Sequence, residues 1–187
     1  MRWSKVKKLV EESFAESVKG RVKVYSTQYQ CSCGRGWITI DGEELVDFST
    51  MLSGNIYGYV YHETTNTICA KHSDVKDEDR TEGKLIEDGE FSRFDLHNAC
   101  WDYLHQSLKD SLESENPLIK SLAVLNAKVG KGRLVKIAEQ NLHPLTHALL
   151  DFRLKAEKEL RYEREIEIIN ANAEMLNKQT LEMTSKL

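Results

Sequence analysis

Apolar positions in the first fifty residues change from a helical to a strand-like spacing. Apolar side chains three and four residues apart predict an amphipathic helix over residues 3–19, and Gly20 is placed to end it. Residues 21–29 alternate apolar and polar positions and are rich in β-formers, which predicts a strand. The dipeptide Asp41-Gly42 tolerates the positive φ of a tight turn, so residues 37–48 are predicted to form a β-hairpin.

Two further segments follow before the pattern becomes helical. Residues 55–62 are predicted to form another strand, on which Tyr57, Tyr59 and Tyr61 would share one face. The three rings could line a binding face, but we expect them to pack that strand against a helix. Residues 63–90 are polar and acidic, which is typical of a long loop.

Helical spacing dominates the chain from Ser92 onward. Asn116-Pro117 predicts a helix start, because asparagine can cap a helix and proline has a preset φ. Gly130 is placed to end that helix, residues 134–138 would form a short third one, and His143-Pro144 would begin a fourth. The core-facing stripe that we expect on the first of these helices comprises Phe94, His97, Cys100, Trp101, Leu104, Leu108 and Leu112.

The last helix is predicted to run to the end of the chain with an apolar row of its own. The positions of this row are spaced four and three residues apart, as in a coiled coil: Tyr162, Ile166, Ile169, Ala173, Leu176, Thr180, Met183 and Leu187. Charges that alternate in sign every four residues occupy another face, at Arg153, Glu157, Arg161 and Glu165. A lone helix cannot bury the apolar row. It must fold back on its own domain, meet a second copy or meet another protein, and we expect a second copy.

These elements together predict an α+β protein. Residues 1–90 would form a unit of one helix, a small antiparallel sheet of three or four strands and the acidic loop. Residues 91–155 would form a helical unit packed on it. Residues 156–187 would be a helical extension that carries the apolar row.

Composition is that of a soluble globular protein with many surface charges, because 40% of its 187 residues are hydrophobic and 30% are charged. No apolar run is long enough to span a bilayer, and the first residues lack the uninterrupted apolar core of a signal peptide. Four cysteines in a chain of this length are ordinary for a reducing compartment. We therefore expect a cytoplasmic protein without membrane contact.

The cysteines supply the strongest candidate for a metal site. Cys31 and Cys33, with Cys69 and His72, would give three thiolates and an imidazole, which is the ligand set of a closed structural zinc site. Against zinc, Cys-x-Cys is a less usual ligand spacing than Cys-x-x-Cys, and the two pairs lie on separate segments. Free thiols at strand ends are the competing interpretation. We expect no cofactor, and zinc is the one that the sequence suggests.

A second metal hypothesis concerns His143, His147 and Asp151, which have the spacing of a two-histidine, one-carboxylate face on a helix. The neighbouring Pro144 pushes His143 out of the helical region of φ and ψ. We therefore expect His143 to cap the helix, which leaves His147 and Asp151 as a hydrogen-bonded pair.

A nucleophilic site could in principle combine Cys100 with His97 and His105, which flank Trp101 at four residues on either side. However, His97 and Trp101 lie on the stripe that is predicted to face the core. Buried structural residues are therefore the expected interpretation.

A basic turn precedes the predicted third helix. Cations beside the exposed amides of a helix N-terminus suit a phosphate group, and the candidate residues are Lys128, Lys131, Arg133 and Lys136. The turn lacks the spacing of a P-loop, and the formal net charge of −4 counts against nucleic acid as a partner. A solvated helix connection is the expected role.

Several stretches of the chain resemble a family of uncharacterised small bacterial proteins. The resemblance covers about residues 1–155 and depends on RWSKVKKLVE at 2–11, GWITIDG at 36–42, SENP at 114–117, GKGRL at 130–134 and LHPL at 142–145. It implies a shared core to which residues 156–187 are an addition. It brings no activity, cofactor or partner, and the cysteines are not part of the pattern.

The absence of catalytic motifs favours a non-catalytic interaction or accessory protein. We expect it to associate with itself, as an oligomer, through Tyr162, Ile166, Ile169, Ala173 and Leu176. A structural zinc protein and a phosphate- or nucleic-acid-binding protein are the two alternatives.

Overall fold

The computed structural model describes residues 2–28, 34–49, 85–86 and 90–184, and side chains in the last helix as far as residue 172. The predicted α+β class is confirmed, since a helix and a three-stranded antiparallel sheet precede a set of helices that ends in a long one. The predicted strand at 55–62, its three tyrosines and nearly all of the acidic loop lie outside the described residues.

The sheet contains β1 (Val22–Gln28), β2 (Gly34–Ile40) and β3 (Glu43–Ser49) in the order β1-β2-β3. Both neighbouring pairs are antiparallel, and the register places Ile38 opposite Val24 and Val46. The predicted hairpin is present as β2 and β3. Its turn residues Asp41 and Gly42 have φ values of 52° and 89°, which is the pair of positive angles that a tight type I′ turn requires.

Helix α1 covers Trp3–Glu12 and is therefore shorter than the predicted helix over residues 3–19. Beyond it, the amide of Ala15 donates to the carbonyl oxygen of Leu125 at 2.8 Å, so this backbone pairs with a distant loop instead of continuing the helix. Phe14 and Val18 are still buried. Apolar spacing identified the residues that enter the core, but it could not show that a long-range backbone contact ends the helix.

The helical half has five elements, and four of them begin with a side chain that accepts a hydrogen bond from a backbone amide; at the helix that begins at Leu108 this is Ser107, which accepts from the amide of Asp110. Ser92 and Asp95 form a reciprocal capping box at the start of one helix. At another, the side chain of Asn116 accepts from the amide of Leu118, and Pro117 is the first helical residue. His143 accepts from the amide of Leu145 at 3.2 Å, as its expected capping role requires. The helices are α2 (Arg93–His105), α3 (Leu108–Glu113), α4 (Pro117–Val124), α5 (Lys131–Ala138) and α6 (Pro144–Thr184).

Helix α2 faces the core with a set of residues that matches the predicted stripe only in part, because Cys100 belongs to both, while Leu108 and Leu112 of the stripe lie on α3. Its buried side chains include Leu96, Ala99, Cys100 and Tyr103, whereas Trp101 is 41% exposed. A β-carbon on Gly36 of β2 would lie 2.7 Å from Cδ2 of Leu96. The close approach of α2 to the sheet thus depends on a residue without a side chain, and a pattern weighted toward large apolar residues gives no signal for it.

One hydrophobic core joins the sheet and the helices. Buried residues of α1, the sheet, α2, α4 and α6 form a single cluster that includes Val10, Ile38, Leu96, Leu122 and Leu149. Tyr103 adds a polar connection, because its hydroxyl oxygen lies 2.7 Å from Oγ of Ser13 and accepts from Asn126 at 2.6 Å. The domain boundaries near residues 90 and 155 remain a prediction.

Arg153 of α6 is buried in this structure, with 2% of its surface exposed. Its guanidinium group donates to the backbone carbonyl oxygens of Val124 at 2.7 Å, Asn126 at 2.6 Å and Val129 at 2.7 Å. It also donates to Glu157 at 3.0 Å. The last carbonyls of a helix lack partners within the helix and favour a cation, so Arg153 closes the C-terminal end of α4. The predicted alternation of Arg153 with Glu157 is present, but Arg153 is not a surface residue.

The first prediction concerns Arg153→Ala, which removes the donors to three backbone carbonyls and leaves Glu157 without its partner. We expect the free energy of unfolding to fall by about 3–5 kcal/mol, as for other buried charges that lose a partner. Urea denaturation measures this change. The matched control is Arg161→Ala on the exposed part of α6, expected to change stability by less than about 0.5 kcal/mol. Equal effects of the two substitutions would refute the assigned role.

The second prediction concerns Gly34→Ala at the start of β2. Its new β-carbon would meet the carbonyl oxygen of Thr27 and lie 2.7 Å from Cδ of Arg93. We expect a loss of about 1–3 kcal/mol in the free energy of unfolding. Gly132→Ala is the control, because nothing lies within 4 Å of its β-carbon, and α5 should be unchanged or slightly more stable. A neutral Gly34→Ala would contradict this close packing.

Candidate functional site

Helix α6 divides into a part that packs on the core and a part that does not. Leu145, Leu149, Arg153 and Ala156, called here the buried row, are each less than 3% exposed. They are spaced four, four and three residues apart and hold the first part of the helix against the body of the protein. Every described side chain from residue 161 to residue 172 is exposed.

The exposed part of α6 carries large apolar side chains. Tyr162 is 66% exposed, Ile166 39% and Ile169 65%. These three residues, called the distal row, begin the apolar row that the sequence predicts; the side chains of Ala173 and Leu176 lie outside the described part. Successive residues of an α-helix advance by about 100°, so the distal row lies roughly 130° around the axis from the buried row. The distal row therefore faces away from the body.

Two ion pairs fasten α6 to the body just before and within its exposed part. Arg21 donates to Glu159 at 3.0 Å, and its guanidinium carbon lies 4.7 Å from the ring centroid of Phe152. Arg164 donates to Glu16 at 2.7 Å. The partners on the body side precede β1 in the chain. Sequence spacing on α6 gives no indication of these long-range pairs.

Arg21 also anchors the hairpin turn. It makes a two-point contact with the carboxylate of Asp41, at 2.9 and 2.8 Å. This hydrogen-bonded guanidinium lowers the pKa of Asp41, and the bonds to Asp41 and Glu159 raise the pKa of Arg21. The contact is fully formed at neutral pH, and one cation connects the sheet to α6.

The residues proposed for a nucleophilic site are placed in structural roles. Burial raises the pKa of the Cys100 thiol to about 12, with a smaller contribution from Glu11, so the thiolate does not form at neutral pH. His105 stacks on the exposed ring of Trp101 with 3.9 Å between centroids. The expected burial of Trp101 is wrong. Its face of α2 is turned from the core because the helix packs through Leu96 and Ala99.

His97 lies between α1 and β1. Its ring stacks on Trp3 with 4.2 Å between centroids, and its Nε2 atom is 2.7 Å from Oγ of Ser26. Burial and then the positive charge of Arg93 lower the pKa of His97 to about 4. A neutral ring with this pKa is a weak base, and its contacts are those of a structural residue.

The remaining histidine candidates make two separate contacts with carboxylates. His143 lies 3.0 Å from Glu90, while Nδ1 of His147 lies 3.3 Å from the carboxylate of Asp151. His147 and Asp151 thus lie beside each other, apart from His143. Within residues 2–28, 34–49, 85–86 and 90–184, no three side chains of His, Cys, Asp or Glu are grouped as metal ligands. The zinc hypothesis concerns Cys31, Cys33, Cys69 and His72, which all lie outside those ranges.

The basic turn is exposed at the start of α5. Gly130 is the N-cap of this helix and offers no side-chain cap. Lys128, Lys131 and Lys136 are exposed, and Arg133 is 3.9 Å from Glu113. Lys128, Lys131 and Arg133 lie at the start of α5, whereas Lys136 lies in its last turn. A role in phosphate or nucleic-acid binding remains a prediction.

None of the helices in the described part of the chain combines the length and apolar character needed to cross a membrane.

The fold and its exposed surface define a class: an α+β protein whose last helix extends beyond the core with an unburied apolar row. Residues 2–154 match the SF0329 protein family, and the chain belongs to that family. The distal row lies beyond the matched residues. Neither a curated protein nor a solved structure matches the chain.

The third prediction concerns the pH dependence of stability through His97. An unfolded chain binds a proton on histidine below pH about 6.5, whereas the folded protein does so only near pH 4, so stability falls between these values. His97→Gln should remove part of this acid loss. Because the ring is only partly buried, we expect the free energy lost between pH 7 and pH 4.5 to be about 1 kcal/mol smaller in the variant. Identical losses in urea titrations of parent and variant would contradict the assignment.

Proposed function

We propose that this protein is a non-catalytic interaction protein that associates with a second copy of itself through the distal row of α6. The observation that supports the proposal is the exposure of Tyr162, Ile166 and Ile169 on a stretch of helix whose other side chains from 161 to 167 are all charged. Large apolar side chains that recur at four- and three-residue intervals are typical of a helix that packs against another helix.

Burial of the distal row in its own domain is the main alternative, and the geometry counts against it. The row lies roughly 130° around α6 from the buried row, and the intervening contacts with the body are ion pairs through Glu159 and Arg164. Turning the row toward the body would require rotating a continuous helix whose buried row includes Arg153. That rotation would expose Leu149 and break the three bonds from Arg153 to backbone carbonyls.

A second copy can bury the distal row without any other protein, because its α6 carries the same apolar row. The helix continues to Thr184, so the stretch from residue 161 onward is about 36 Å long at 1.5 Å per residue. In the sequence, Ala173 and Leu176 continue the four- and three-residue spacing. Each buried isoleucine would contribute about 1.5–3 kcal/mol to association before the cost of ordering is subtracted.

The fourth prediction compares two sets of aspartate substitutions on the same helix. Ile166→Asp with Ile169→Asp places two charges in the distal row and should convert an oligomer into a monomer of 21.5 kDa. Ile168→Asp is the matched control, because Ile168 is 60% exposed but lies outside the row, and it should leave the oligomer intact. Light scattering coupled to size-exclusion chromatography measures the mass.

Two results would end this proposal. One is a parent protein that has the mass of one chain throughout the micromolar range. The other is an oligomer whose mass is unchanged by the paired substitution, since its contact would then lie elsewhere. Circular dichroism must show equal helix content in the parent and both variants, which separates loss of contact from loss of folding.

A further inference from the structure

The spacing of the distal row assigns each residue of α6 a place in the heptad repeat, written a to g. Four residues separate Tyr162 from Ile166 and three separate Ile166 from Ile169, which makes Ile166 an a position and the other two d positions. Lys158 is then a g position and Glu163 an e position. In a two-stranded parallel coiled coil, a g residue meets the e residue five positions later on the other helix.

Lys158 and Glu163 are five residues apart, are exposed and carry opposite charges. Among the described residues, neither takes part in an ion pair. The next g position, Glu165, would meet the uncharged Asn170, so parallel pairing brings no like charges together at these positions. An antiparallel arrangement would pair g with g and e with e, and it would not bring Lys158 to Glu163.

The body of the protein leaves room for this arrangement. The buried row lies roughly 130° around α6 from the distal row, so most of the body lies behind the helix when the distal row faces a partner. Glu159, the a position before the distal row, is bonded to Arg21 of the body, so the apolar contact between the copies begins at Tyr162. Two copies related by a twofold axis along the helices would therefore place their bodies on opposite outer sides of the pair.

We infer that the second copy docks with its α6 parallel and in register, and that Lys158 of each chain pairs with Glu163 of the partner subunit. This inference rests on the proposed function. It adds the orientation, the register and the charged residues that select them. The charged pairs flank an apolar contact, and in coiled coils such pairs set partner choice and orientation.

Exchanging the two charges tests the pairing. Lys158→Glu alone and Glu163→Lys alone each replace two attractive contacts per dimer with repulsive ones, and each should weaken dimerisation on the order of tenfold. The double variant, Lys158→Glu with Glu163→Lys, restores opposite charges and should recover an affinity within about threefold of the parent. Sedimentation equilibrium at low salt gives the dissociation constants. Recovery supports the inference, and additive losses in the double variant overturn it.

A disulfide tests the register without altering charge. Opposing a positions in a parallel pair lie within the distance that a disulfide spans, so Ile166→Cys should give a covalent dimer under mild oxidation. Glu167→Cys is the matched control on the adjacent residue. Residue 167 faces away from the partner, so this variant should give no more covalent dimer than the parent protein. A dimer that remains unlinked at residue 166 overturns the parallel register but leaves the proposed self-association standing. A parent protein that is a monomer would refute both the parallel register and the proposed self-association.

Discussion

Arg153 places a positive charge where α4 and the loop after it present backbone carbonyls without partners. Three bonds of 2.6–2.7 Å fix this residue, and because it lies on α6 they fix the rotation of the whole helix about its axis. A buried guanidinium without such partners would be strongly unfavourable, so the contact defines one orientation. Everything that α6 presents to solvent follows from it, including the direction in which the distal row faces.

Local signals in the sequence were sufficient for the elements that depend on local physics. Asp41-Gly42 identified the hairpin because only a few residues adopt positive φ readily, and Asn116-Pro117 identified the start of α4 because capping is a contact between neighbours. The end of α1 was predicted incorrectly, and so was the part of the core face of α2 that included Trp101. Both depend on long-range contacts, one with the carbonyl of Leu125 and one with Gly36, and neither contact leaves a trace in local spacing.

The candidate site likewise has one feature that local spacing predicted and others that depend on long-range contacts. The distal row was predicted from its spacing, since apolar residues at four- and three-residue intervals form a continuous stripe along one side of a helix. Its separation from the body could not be predicted, because that depends on which face of α6 Arg153 and Leu149 occupy. Arg21 and Glu16 gave no signal as partners of α6. The family match ends at residue 154, so it includes most of the packed core and none of the exposed part of α6.

Amide hydrogen exchange along α6, measured at protein concentrations below and above association, tests the account most directly. Helix ends without tertiary contacts exchange rapidly, whereas helices in a packed interface are protected. We expect protection of residues 161–172 to rise with concentration while that of residues 145–156 stays high at both. Protection of residues 161–172 that is already high in the dilute protein, and independent of concentration, would show that the distal row is buried within one chain and would contradict the account.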